Sequence, residues 1–108
     1  MSWLTAYLLT QLVEVPIYLI GARRLRRGRR WLLAFGASTV THPVVWFLFP
    51  WDNGPWIVFA VLSETFAFVT EAWLGSLAGV EKPWLWSLLA NASSVCAGLV
   101  VQGVWSGF

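Results

Sequence analysis

Residues 56–78 read WIVFAVLSETFAFVTEAWLGSLA. As a helix this run crosses a bilayer, for which roughly 20 mainly apolar residues suffice. It contains no Lys or Arg, yet Glu64 and Glu71 lie inside it. An ionised carboxylate in hydrocarbon is costly unless it is protonated, paired, wetted or bound to a cation. Seven residues apart, the two acids share one helix face about two turns, roughly 10 Å, from each other. The decisive run is therefore a membrane span that holds acids on one side.

Three further stretches have the same character: residues 3–20, 31–49 and 84–105. Of 108 residues, 58% are hydrophobic and 11% charged, and the mean hydropathy is +0.69. That balance excludes an ordinary soluble domain. Open sheets cannot satisfy their backbone in lipid, so the expected fold is all-α. The short connectors GARRLRRGRR (21–30), FPWDNGPW (49–56) and GVEKPW (79–84) favour antiparallel neighbours. One domain over residues 1–108, an up-down bundle of four transmembrane helices, follows. Trp51, Trp56, Trp84 and Trp105 fall at span ends, as an aromatic belt requires. Cys96 stands alone, so no disulfide framework exists.

Charge sets the expected orientation. Arg23, Arg24, Arg26, Arg27, Arg29 and Arg30 crowd the first connector, Lys82 is in the third, and the second holds Asp52 without a cation. The positive-inside rule places connectors one and three in the cytoplasm and both termini outside. The expected location is a plasma membrane of the bacterial inner-membrane type. Wedged between spans, the arginines read as topology determinants that meet anionic headgroups, not as a nucleic-acid patch. The start Met1-Ser2-Trp3 lacks a basic n-region, so the first span reads as retained rather than as a signal peptide.

Each span carries a polar stripe at helical spacing: Tyr7, Gln11, Glu14 and Tyr18; Ser38, Thr41 and His42; Glu64 and Glu71; Ser87, Asn91, Ser94 and Gly98. Such stripes face a bundle interior rather than lipid. By depth, Glu14, His42, Glu64, Glu71 and Asn91 are expected to meet near the midplane. Gln11, Tyr18, Ser38 and Ser94 are expected around them. Pro16 and Pro43 free the carbonyls of Leu12 and Thr39 and offer kinks. Gly75 with Gly79, and Ala90, Ser94 and Gly98, read as close helix contacts.

The expected cluster suits a cation. His42 with two glutamates could hold one divalent Zn, Fe, Mn or Ni ion. A carboxyl that exchanges a proton for another cation is the alternative within the same class. The leading expectation is cation binding for transport by a homo-oligomer, since four helices are few for a complete pathway. Two others stand beside it. One is an intramembrane enzyme using Glu14, His42 and Glu71 as acid and base on a lipid-soluble substrate. The other is an accessory subunit of a larger membrane complex. In length, in four spans and in the acid within Leu12-Val13-Glu14-Val15, the chain resembles the small multidrug resistance transporters, in which a first-span Glu is essential. The likeness ends there. Ser63-Glu64, Thr70-Glu71 and Thr41-His42-Pro43 depart from that family's acid-free later spans and glycine-rich third helix, and no family is assigned.

Overall fold

The computed structural model describes residues 3–49 and 54–105. Four helices follow one another: α1 (Trp3–Gly21), α2 (Arg27–Phe47), α3 (Trp56–Ala78) and α4 (Pro83–Trp105). Each packs against two neighbours in a ring, α1 and α3 both lying between α2 and α4. The bundle measures 41 × 25 × 20 Å. Trp51 and Asp52 fall outside the described residues, as do the side chains of Trp56 and Trp105.

Three helices, α1, α3 and α4, are long and apolar enough to cross a membrane. The second differs from expectation at its start. It begins at Arg27 rather than Trp31, so Arg27, Arg29 and Arg30 belong to its first turn. Those charges, together with Ser38, Thr41 and His42, make α2 the least apolar of the four.

The bundle is apolar outside, and its interior combines small apolar side chains with buried polar ones. Leu12 and Leu32 are each 74% exposed, whereas Glu71 is 1% exposed and Glu14 2%. In water this distribution would forfeit much of the hydrophobic stabilisation. In lipid it is the stable one, because apolar side chains cost nothing there and polar ones need partners.

Sharp local signals terminate the helices. Gly79 adopts φ 96°, and its N–H and that of Val80 bond to Ser76 and Gly75 carbonyls at 3.1 and 2.9 Å. This left-handed cap satisfies carbonyls that the end of α3 would leave open. Gly79 is thus a cap, not the helix contact its spacing from Gly75 suggested. Pro83 opens α4, where its missing N–H has no partner to lose. The α1–α2 connector is clamped by Arg30, whose Nη2 donates to the carbonyls of Arg23 and Leu25 at 3.0 and 3.1 Å. Arg24 and Glu81 form an exposed ion pair at 3.2 Å, tying the first connector to the third at one end of the bundle. Such a pair adds little stability but shows that the two connectors share an end.

Gly21 of α1 packs directly against the Trp86 ring of α4. A Cβ built there would stand 2.6 Å from the Trp86 ring. Gly21→Ala should therefore cost about 1–3 kcal/mol through overpacking. Gly28→Ala, where nothing lies within 4 Å, should not. Denaturant titration in mixed micelles, followed by circular dichroism, separates the two, and equal stabilities would refute the tight contact.

Candidate functional site

Small residues let the helices approach around the polar interior. Ala34, Ala37, Ala67 and Ala90 are buried on the inner faces of α2, α3 and α4. Between them, α1 presents Gln11, Glu14 and Tyr18, α2 Ser38 and Thr41, α3 Ser63 and Glu71, and α4 Ser87 and Asn91, all buried. Nearly all of these belong to the four expected stripes.

Glu71 is the hub. Its Oε1 accepts from the Tyr18 hydroxyl at 2.6 Å and from Asn91 Nδ2 at 3.2 Å, while its Oε2 accepts from Thr41 Oγ1 at 2.7 Å. The donors come from α1, α4 and α2, so one α3 carboxyl bonds to every other helix. Asn91 is itself held by the Ser87 carbonyl at 2.8 Å, and Ser87 Oγ donates to the Phe68 carbonyl at 2.8 Å.

Glu14 is buried beside it with fewer partners. Its Oε2 accepts from Ser94 Oγ at 2.6 Å, and its Oε1 is buried without a hydrogen-bond partner. The Glu71 carboxyl lies beside it. Two carboxyls thus face each other inside the bundle. Glu64, one stripe position outward on α3, is only partly buried. It interacts electrostatically with Glu71; among the described residues no hydrogen bond ties it to the network.

His42 stands apart from the carboxyls. Its ring centroid lies 6.0 Å from Trp3, 5.7 Å from Tyr7 and 6.0 Å from Trp46. Its Nε2 is buried and unpartnered. The reason is azimuth: successive helix residues diverge by about 100° at 3.6 residues per turn. Thr41 takes the direction toward Glu71, which turns His42 toward α1 and the aromatic end. Depth alone, counted along the chain, did not distinguish them. Among the described residues, no three His, Cys, Asp or Glu side chains are grouped as a metal site.

Gln11 and Ser38 form a second polar layer between α1 and α2. Ser38 Oγ donates to Gln11 Oε1 at 3.0 Å, and Gln11 Nε2 donates to Tyr7 OH at 2.7 Å and to Thr39 Oγ1 at 3.2 Å. This layer satisfies a buried amide that would otherwise be costly.

Thr41 is the site residue missing from the expected cluster, and its place on the polar face of α2 marks it. Ala34, Ala37, Ser38 and Thr41 on α2 have the spacing of Ser87, Ala90, Asn91 and Ser94 on α4. Glu14 and Glu71 each stand seven residues before the last residue of the preceding helix, Gly21 and Ala78. The hydrogen bonds follow the same rule. Ser94 on α4 donates to Glu14 Oε2 at 2.6 Å, and Thr41 on α2 donates to Glu71 Oε2 at 2.7 Å. Each hairpin therefore supplies one carboxyl, and one hydroxyl to the carboxyl of the other.

Removing either hydroxyl leaves a buried oxygen short of a donor. Thr41→Val and Ser94→Ala should each lower unfolding free energy by about 1–3 kcal/mol. Cys96→Ser, at an exposed position, should stay within about 0.5 kcal/mol of the parent. Unfolding curves in mixed micelles give the comparison, and an unchanged Thr41→Val protein would contradict the role given to that hydroxyl.

No family model, curated protein or solved structure matches the chain.

Proposed function

We propose that this is a membrane protein that binds a proton or small hard cation between Glu14 and Glu71 and exchanges it in transport. The observation that carries this reading is the pair itself: two buried carboxyls, one with an oxygen lacking any partner. The ion pair between Arg24 and Glu81 is at the bundle's end, away from both. Two like charges side by side in a dry interior repel each other, and each also loses hydration. A proton or a cation between them relieves both costs.

The two acids divide the work. Glu71 is surrounded by donors on both oxygens and serves as the fixed acceptor. Glu14, with its open Oε1, is the group that takes and releases the ligand. The surrounding ligands are carboxyl, hydroxyl and amide oxygens, a set suited to a proton or hard cation. With His42 placed among aromatic rings, the same reasoning moves away from Zn, Fe, Mn or Ni. In this reading all four helices cross the membrane, the arginine-bearing end is cytoplasmic and both termini lie outside. The membrane is of the bacterial inner type, and a second copy helps to form the pathway.

Reconstituted liposomes with a trapped pH indicator test the proposal. The parent protein should dissipate an imposed pH gradient, and Glu14→Gln and Glu71→Gln should each slow this by about tenfold or more, the scale of one lost charged interaction. Flux in both variants equal to the parent would refute it. Stoichiometric transition metal in the purified parent, lost in His42→Ala, would replace the proton with a metal.

A further inference from the structure

Between α2 and α3 an apolar groove of about 400 Å³ opens toward the outside of the bundle. Leu32, Leu33, Ala37, Val40, Leu74 and Leu77 shape it, and Arg29 stands in its lining as the one charged residue. Gly36 also lines it, with nothing within 4 Å of where a Cβ would be, so the groove is open at its middle.

Its dimensions fit one kind of occupant. From Arg29 to Val40 the lining follows α2 for eleven residues, roughly 16 Å at the helical rise. That is about half of a 30 Å hydrocarbon core, the depth of one leaflet. An apolar furrow on the lipid-facing side of a bundle holds an acyl chain rather than water. At its mouth Arg29 Nη1 donates to the Ala78 carbonyl at 3.3 Å. This bond fixes the guanidinium at the end of α3, where its remaining N–H donors can meet an anion. A guanidinium matches phosphate in a two-pronged geometry. Arg23, Arg24 and Arg26 of the neighbouring connector and Arg27 and Arg30 of α2 add positive charge at this end of the bundle, which favours a lipid with net negative charge.

We infer that the α2–α3 groove is a binding site for one anionic phospholipid, its acyl chain along Gly36 and its phosphate on Arg29. This site is separate from the carboxyl pair and does not depend on the function proposed for it.

Native mass spectrometry tests the assignment on protein exchanged into vesicles of equal phosphatidylglycerol and phosphatidylcholine. The parent should retain one phosphatidylglycerol per chain. Arg29→Gln should lower its occupancy about tenfold, the value of one hydrogen bond to a charged group. Arg27→Gln removes the same charge two residues away, on another side of α2, and should lower occupancy much less than Arg29→Gln does. Gly36→Leu, which fills the groove while keeping every arginine, should also displace the lipid. Circular dichroism establishes that each variant is folded, and Arg29→Lys, which keeps charge but not the fork, serves if Arg29→Gln is not. Equal losses in the Arg29 and Arg27 variants would reduce the effect to diffuse charge and overturn the site. So would retention of lipid in Gly36→Leu, or equal retention of phosphatidylcholine.

Discussion

A carboxyl group with its back to lipid and its oxygens turned inward needs donors, and Glu71 takes them from three different helices. It is among the largest fully buried side chains in the described structure. A hydrogen bond contributes about 0.5–1.5 kcal/mol net, and an unmet buried acceptor costs about 1–3 kcal/mol. Because the donors come from α1, α2 and α4, no helix can turn or slide without breaking a bond that lipid cannot replace. The azimuth of each helix is set by this one group, and the apolar remainder of each surface faces outward as a result.

Glu14 has the opposite character within the same environment. One of its oxygens is satisfied by Ser94 and the other is not. A structural network completes its bonds, as Asn91, Ser87 and the Phe68 carbonyl do here. An open buried oxygen beside a second carboxyl is a destabilised arrangement, and such places are where proteins handle ligands. In the proposed function this contrast separates the saturated acid, as scaffold, from the unsaturated one, as working group.

Most of this is legible in the sequence. Hydropathy located the helices because long apolar runs mark them, and most ends agree within two residues; the start of α2 moved by four, since arginine is a good helix former and Arg27, Arg29 and Arg30 extend the helix. Polar stripes at helical spacing pointed to Gln11, Glu14, Tyr18, Ser38, Glu71, Asn91 and Ser94, all of which face the interior or its edge. Two things were not legible. Depth along a helix says nothing of rotation about it, so His42 and Thr41, neighbours in sequence, exchanged roles. Gly79 looked like a packing residue because spacing cannot report a backbone angle, whereas its φ of 96° makes it a terminator.

The crossed donors of α2 and α4 have a consequence beyond the site. Ser94 of the α3–α4 hairpin bonds the acid of the α1–α2 hairpin, and Thr41 of the α1–α2 hairpin bonds the acid of the α3–α4 hairpin. Each half of the chain therefore buries a carboxyl that only the other half can help to satisfy. Neither hairpin is complete alone, and the two acids act as a reciprocal latch that rewards docking of the halves in one register.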